Sequence, residues 1–222
     1  MTSIDNGFID YKSEVLRKSI HLCSLSIPVV YYYITRELAL SILIPMALFS
    51  IIVDTSRHFL PSFSKLFYTI FGFMLRKHEK DSKKKNFNGA TYVLISAVLV
   101  ILLFPKIFAI TGFAVLIIGD ISAALFGRKF GRHRFLAKSL EGSMAFLVTS
   151  TVVIFFTPKI TGSIEEYIIA FVAVFIGMIS ENISYGWADD NLTVPVSIAI
   201  SMWAMYALFL PHLSLILPNV PN

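Results

Sequence analysis

The stretch FAITGFAVLIIGDISAALF, residues 108–126, decides the fold. It carries one charged side chain, Asp120, among apolar and small residues. A bilayer core about 30 Å thick is crossed by roughly 20 apolar residues in a helix, so this stretch is predicted to span a membrane. Because lipid offers the backbone no hydrogen-bond partners, a segment of this kind must be helical.

The rest of the chain has the same character. Hydrophobic residues make up 56% of the 222 positions and charged residues only 15%, whereas a soluble domain carries about 25% charged residues. The sequence predicts an all-α fold, a polytopic transmembrane helix bundle forming a single integral membrane domain over residues 1–222. About seven transmembrane helices are expected, at 19–35, 37–53, 89–105, 108–126, 143–157, 165–182 and 193–210.

Basic residues fall almost entirely on one side of this topology. With seven spans, sixteen of the nineteen Lys and Arg residues lie on the side of the N-terminus, and the exceptions are Arg36, Lys106 and Lys159. Loops that stay in the cytoplasm are enriched in Lys and Arg. This bias predicts a cytoplasmic N-terminus, an external C-terminus and cytoplasmic loops at 54–88, 127–142 and 183–192.

Within the first of these loops, PSFSKLFYTIFGFML (61–75) is apolar and aromatic but interrupted by Ser, Lys and Gly. Its 15 residues are marginal for a span, and counting it as one would divide the basic loops between the two faces. We interpret it as an interfacial or re-entrant helix.

Acidic side chains inside apolar helices are costly and mark functional sites. Asp120 lies about seven residues before the cytoplasmic end of its segment, beside a small-residue face formed by Gly119, Ala123 and Gly127. That face permits close approach of another helix, so Asp120 is expected to point into the bundle. A purely structural pairing of Asp120 with a basic residue is the alternative.

A basic segment, GRKFGRHR (127–134), follows directly, and KSLEGS (138–143) comes after it. Guanidinium groups bind phosphate oxygens, and glycines let the backbone approach them. The spacing is not that of a Walker A loop. A plain cytoplasmic loop would be equally basic, but the preceding carboxylate favours a magnesium–nucleotide site.

A third cluster, SENISYGWADDNLTVP (180–195), contains Glu181, Asp189, Asp190 and Asn191 but no Lys or Arg. Acids in an otherwise basic set of loops indicate a segment that faces cations, either a metal or the basic loop. Asn191 or Thr193 is also a candidate cap for the last helix.

Together these segments resemble the CTP-dependent lipid kinase family that contains dolichol kinase, phytol kinase and the CTP-using diacylglycerol kinase. The resemblance covers nearly the whole chain. It rests on RKSIH (17–21), DTSR (54–57), LRKHE (75–79), NGATYVL (88–94), GDISAALFGRKFGRHRF (119–135), KSLEGSMAF (138–146) and the acids of 181–195 ending in DDNLTVP.

The resemblance implies transfer of the γ-phosphate of CTP to the hydroxyl of a membrane lipid, with Mg²⁺ or another divalent cation as cofactor. Asp120 and Asp190 would be catalytic, and Asp120, Glu141 and Asp190 would hold the metal. The nucleotide and phosphates would be bound by Lys18, Arg76, Asn88, Gly89, Arg128, Lys129, Arg132, His133, Lys138 and Ser139. Supporting positions would be His21, Asp54, Arg57, Glu79, Glu181 and Asn191.

The expected partners are CTP, a membrane lipid alcohol and the bilayer, with no nucleic acid; an oligomer is left open. The membrane would be the plasma membrane in a prokaryote and the endoplasmic reticulum in a eukaryote. One alternative is a cytidylyltransferase that forms a CDP-lipid, although the acidic C-terminal signature expected of that enzyme is missing. Another is a small membrane transporter, which would place polar groups on both sides.

Overall fold

The computed structural model describes residues 10–73, 75, 86–184 and 189–221. Within these ranges the chain is mostly helical. The elements in chain order are α1 (Tyr11–Cys23), α2 (Ser26–Tyr33), α3 (Arg36–Phe59), α4 (Pro61–Phe71), α5 (Gly89–Leu103), α6 (Lys106–Phe130), β1 (Arg134–Phe135), β2 (Lys138–Ser139), α7 (Leu140–Ile154), α8 (Ile164–Ile183) and α9 (Asp190–Phe209).

The helices have the length and apolarity of a membrane protein. In the described part of the chain α3, α6 and α9 are long and apolar enough to cross a bilayer, and α5 and α7 are shorter apolar helices. Fifteen residues of α-helix extend only about 22 Å, so helix length alone does not fix the number of spans at seven. The structure confirms a helical fold with membrane-spanning candidates, and the count of seven spans stays a prediction.

Helix α6 forms the centre of the bundle. Most of its residues are buried, and it packs closely against α7. A Cβ atom added to Gly119 would lie 2.6 Å from both the ring of Phe146 and the hydroxyl of Ser150, and one added to Gly127 would lie 3.4 Å from the Cα of Gly142. The small-residue face of α6 thus serves packing within the chain.

The first predicted segment, 19–35, is divided into α1 and α2. Helix α1 begins much earlier, because Asp10 caps it by accepting a hydrogen bond from the backbone N–H of Lys12. Helix α2 begins at Ser26, and Pro28 lies in its first turn, where a missing N–H is tolerated. Residues 19–23 of the predicted segment therefore belong to α1. This helix packs against α6.

The three basic residues predicted on the external side bind backbone carbonyls. The Nε of Arg36 donates to a carbonyl in the last turn of α5 at 2.8 Å, and Lys106 donates to the carbonyl of Ile34 at 2.7 Å, just after α2. Lys159 donates to the carbonyl of Ile154 at 2.7 Å, at the end of α7. Carbonyls at helix C-termini lack intrahelical partners and favour cations, so these exceptions to the charge bias have a structural role.

A short antiparallel hairpin between α6 and α7 is an exception to the all-α prediction. Arg134 pairs with Ser139 and Phe135 with Lys138, and Leu136 in the turn has φ of +51°. Two-residue strands are too short to leave a periodic pattern in the sequence.

The segment predicted as an interfacial helix contains α4, which ends at Phe71. Pro61 occupies its first turn, and the ring of Phe67 lies 5.2 Å from the guanidinium of Arg57 in α3. This cation–π contact fixes α4 to the end of α3.

Candidate active site

Three helices bring their carboxylates together inside the bundle. Asp120 of α6, Glu181 of α8 and Asp190 of α9 each offer an oxygen, and these oxygens lie within 4.8 Å of one another. All three residues are buried, with exposed fractions of 2%, 3% and 4%. We call them the carboxylate cluster. Like charges at this separation repel strongly at low dielectric and therefore require cations beside them.

Two lysines supply those cations. The ammonium of Lys18 in α1 contacts Oδ2 of Asp120, and both side chains are buried. The ammonium of Lys138 in β2 lies 2.5 Å from Oε1 of Glu181 and 3.3 Å from Oδ2 of Asp190. The Lys138 side chain is 31% exposed, whereas that of Lys18 is 1% exposed. The site is therefore reached from the side of Lys138.

His21 adds an imidazole to the same carboxylate. Its Nε2 lies 3.4 Å from the Oδ2 of Asp120 that Lys18 contacts. This ring nitrogen is buried and makes no hydrogen bond with the described part of the chain. A polar substrate atom that reached Asp120 would meet His21 as well.

Lys138 is held in place through its backbone by Asn182, which directly follows Glu181 in α8. The Oδ1 of Asn182 accepts hydrogen bonds from the N–H groups of Ala137 and Lys138, at 2.9 and 3.2 Å. Its Nδ2 donates to the hydroxyl of Ser143 at 2.7 Å. Asn182 is not among the site residues predicted from the sequence. The sequence does carry a signal for Asn182, because a polar residue inside an apolar helix marks a functional site. In the structure this residue is fully buried.

The start of α9 differs from the prediction that Asn191 or Thr193 caps it. The cap is Asp189, whose Oδ1 accepts from the backbone N–H of Asn191 at 3.0 Å and from its Nδ2 at 2.7 Å. Asn191 is turned inward as a result. Its Oδ1 is buried and accepts no hydrogen bond from the described residues.

These donors fit a small divalent cation. Carboxylate and amide oxygens are the ligands that Mg²⁺ prefers, and the cluster offers three carboxylates with the orphan Oδ1 of Asn191 nearby in sequence and equally buried. Lys18 and Lys138 offset only part of the negative charge that three ionised carboxylates would carry.

The basic residues at or just after the end of α6 differ in their surroundings. Arg128 lies 3.5 Å from Glu14 of α1, which also binds Arg17 at 2.6 Å. The pair between Arg128 and Glu14 connects the end of α6 to α1. Lys129 and Arg132 are exposed.

His133 and Glu141 pair with each other outside the cluster. The Nδ1 of His133 lies 2.7 Å from Oε1 of Glu141, and the His133 N–H donates to the same carboxylate at 3.2 Å. Ser139 caps α7 by accepting from the N–H of Gly142. The group of potential metal ligands among the described residues does not include Glu141, so the geometry gives no support to its predicted role as a ligand.

Asp54 connects the end of α3 to the start of α5, away from the carboxylate cluster. Its Oδ1 lies 2.6 Å from Nε of Arg57, and its Oδ2 accepts from the N–H of Asn88 at 2.6 Å. Asn88 in turn caps α5, which begins at Gly89. The structure therefore places Asn88 and Gly89 at a helix junction. Arg76 and Glu79, also predicted at the site, lie outside the described residues.

A mostly helical, apolar chain that buries three carboxylates against two lysines is a membrane protein with a polar site inside its bundle. Comparison with known proteins agrees with this class. The chain is 28% identical over 156 residues to CTP-dependent diacylglycerol kinase 1 of Schizosaccharomyces pombe, covering 64% of this chain and 70% of the relative. It is 34% identical over 104 residues to the phytol kinase of Synechocystis, 44% of each chain.

An uncharacterized protein of Rickettsia prowazekii is 26% identical over 193 residues, or 86% of this chain and 94% of the relative. No family model matches the chain, and no solved structure matches it significantly. The named relatives are distant homologues, and their names support a lipid kinase at the level of the family, with CTP as co-substrate.

Proposed function

We propose that this protein is a CTP-dependent lipid-alcohol kinase that transfers the γ-phosphate of CTP to the hydroxyl of a membrane lipid. The acceptor would be a polyprenol or dolichol, a phytol-like isoprenoid or a diacylglycerol. The observation that carries the proposal is the buried carboxylate cluster with Lys18 and Lys138 against it. Such a site brings acids and cations to apolar helices, where a lipid hydroxyl and a nucleotide phosphate can meet.

Phosphoryl transfer asks a protein for positioning, neutralisation of charge and a carboxylate near the attacking hydroxyl. Asp120 fills the last role, because Lys18 and His21 orient its carboxylate. The lipid oxygen forms a bond to the γ-phosphorus while the bond from that phosphorus to the β–γ bridging oxygen breaks. The hydroxyl proton passes to Asp120, and CDP leaves.

Lys138 is suited to bind the transferred phosphate. It is the more exposed of the two cluster lysines, so it can exchange a carboxylate for a phosphate oxygen with little rearrangement. The rim of the site would be completed by Arg128, Lys129, Arg132, His133 and Ser139, and Arg76, Asn88 and Gly89 would lie further along the nucleotide.

Asp120, Glu181, Asp190 and Asn191 would hold Mg²⁺ or another divalent cation. When bound, the cation would neutralise charge on the phosphates of the nucleotide. Lys18 and Lys138 contact these carboxylates and hold them in position for that purpose.

The proposed orientation of the protein in the membrane rests on the distribution of Lys and Arg. Seven spans with a cytoplasmic N-terminus would put the carboxylate cluster, the hairpin and the end of α6 toward the cytoplasm, where CTP is found. The protein would then lie in the plasma membrane of a prokaryote or the endoplasmic reticulum of a eukaryote.

The proposal is tested by lipid-dependent release of CDP. Purified protein is incubated with Mg²⁺, a panel of lipid alcohols, and CTP, UTP or ATP in turn. We expect CDP to form only with CTP and only when an alcohol is present. Absence of phosphorylated lipid with every nucleotide and alcohol would refute the proposal.

A further inference from the structure

An apolar groove runs along the outside of α6, between α2 and α7. Its cavity has a volume of about 430 Å³. Its walls include Leu25 and Val29 from α2 and the turn before it, Ile110 and Ile118 from α6, and Val153 and Phe156 from the end of α7. Most of these side chains are partly exposed, so the groove opens toward the surface that faces lipid.

One end of this groove lies near the level of Asp120 along α6. Leu25 lies four residues after His21 in the chain, and Ile118 lies about 3 Å along α6 from Asp120, although the two side chains point to different faces of that helix. His21 and Asp120 are themselves in contact, at 3.4 Å. From Ile118 to Ile110 the groove follows α6 for eight residues, about 12 Å, away from the end of α6 that carries the basic residues.

We infer that this groove binds one hydrocarbon chain of the acceptor lipid, whose hydroxyl group lies at His21 and Asp120. The inference rests on the proposed function. An alcohol in the cytoplasmic leaflet has its hydroxyl near that surface and its chain directed to the bilayer centre, which is the direction from Asp120 to Ile110. An apolar groove with a polar group at one end is complementary to such a molecule.

The groove can hold part of one hydrocarbon chain, because it follows α6 for about 12 Å and has a volume of about 430 Å³. It is open on the side that faces lipid. The remainder of a long chain, or the second chain of a diacylglycerol, would lie in the surrounding bilayer.

Two neighbouring valines provide a matched test. Val29 lines the groove and Val30 does not, although both lie in α2 with similar exposure, 52% and 48%. Because both side chains face outward, Val29→Trp and Val30→Trp are expected to fold equally well. Val29→Trp narrows the groove and should raise KM for phytol about tenfold, with KM for CTP unchanged. Val30→Trp should leave both values as in the unsubstituted protein.

A binding measurement separates this inference from the proposed function. Hexadecanol with a terminal diazirine is photolysed with the purified protein, and labelled peptides are identified by mass spectrometry. We expect labelling at Phe156 or its neighbours in the groove, competed by hexadecanol but not by hexadecane, and reduced by Val29→Trp.

Equal competition by hexadecane would mean that ordinary bilayer lipid fills the groove, and labelling elsewhere would place the chain elsewhere. Either result, or equal KM values for the two tryptophan variants, overturns the inference while lipid phosphorylation stands. Groove labelling without any phosphorylation would instead refute the proposed function alone.

Discussion

The ammonium of Lys138 lies 2.5 Å from Oε1 of Glu181, although 43 residues separate the two in sequence. Burial by itself would lower the pKa of Lys138, but the carboxylates of Glu181 and Asp190 outweigh it and raise the pKa above its ordinary value. The side chain is therefore charged throughout the physiological pH range. A permanent cation at the open side of a carboxylate cluster is well placed to receive a phosphate.

Replacing Asp120 tests the centre of the cluster. Asp120→Asn removes the carboxylate that Lys18 and His21 contact, so we expect phosphoryl transfer to fall by at least about a thousandfold. Turnover is measured with CTP and phytol at saturating concentrations. Near-normal turnover would contradict the assigned role.

The same substitution leaves the buried ammonium of Lys18 without its carboxylate, which costs about 3–5 kcal/mol when a buried pair is broken. The double variant Lys18→Met, Asp120→Asn removes both charges and should recover much of the thermal stability without recovering activity. Glu141→Gln is the control for loss of a nearby acid outside the cluster, and a much smaller decrease in turnover is expected.

Asn182 is expected to act as a positioning residue for Lys138. Asn182→Ala removes the acceptor for the N–H groups of Ala137 and Lys138, so the hairpin should lose its register against α8. We expect kcat/KM for CTP to fall about 10- to 100-fold, a loss of roughly 1.4–2.8 kcal/mol in transition-state binding.

A double-mutant cycle distinguishes positioning from general destabilisation. If Asn182 acts through Lys138, then Asn182→Ala should add little to the effect of Lys138→Ala on kcat/KM. Additive losses would contradict this coupling. Ser143→Ala is the matched control, because it removes the hydroxyl that accepts a hydrogen bond from Nδ2 of Asn182 but leaves the contacts of Oδ1 to the hairpin intact.

Lys159 should react with amine reagents at unusually low pH. Burial lowers the pKa of Lys159 to about 8, against a smaller opposing effect from Glu166, and an ordinary lysine titrates near 10.5. The neutral amine is the nucleophile, so acylation at Lys159 should rise steeply between about pH 7 and 9. The site is followed by peptide mapping, with Lys159→Arg as control. Acylation that begins only near pH 10 would show that the folded protein does not lower this pKa.

The proposed topology is tested by labelling single cysteines in sealed vesicles. Cys23 is exposed and is first replaced by Ala. Exposed positions are then available in the hairpin, with Arg134→Cys, and at the start of α8, with Glu165→Cys. A membrane-impermeant maleimide should label the two from opposite faces, because α7 lies between them in the chain. Labelling from the same face would refute the topology.

Much of the site could be predicted from the sequence, because its acids stand out in apolar segments. Asp120 within a span and the acids near residue 190 were each identified by local composition, and the structure brings Asp120, Glu181 and Asp190 together. The close packing of α6 against α7 likewise follows from the spacing of Gly119 and Gly127.

What the sequence did not reveal depends on contacts between distant segments. The hairpin is fixed by Asn182, some 45 residues away, and two-residue strands have no periodicity of their own. Asp189 and Asn191 are both suitable caps by residue type. Which of them caps α9 depends on backbone geometry that residue type does not determine. The resemblance to the kinase family implied a metal role for Glu141, and in the structure its carboxylate pairs with His133, a contact that sequence alone does not reveal.

The identity of the group transferred to the lipid tests the central claim most directly. Purified protein, Mg²⁺ and phytol are incubated in parallel with CTP labelled at the γ-phosphate and CTP labelled at the α-phosphate, and the lipid products are separated. We predict label in the lipid from γ-labelled CTP alone, CDP as the soluble product, and loss of both in Asp120→Asn. Label in the lipid from α-labelled CTP, with release of pyrophosphate, would contradict the kinase and identify a cytidylyltransferase instead.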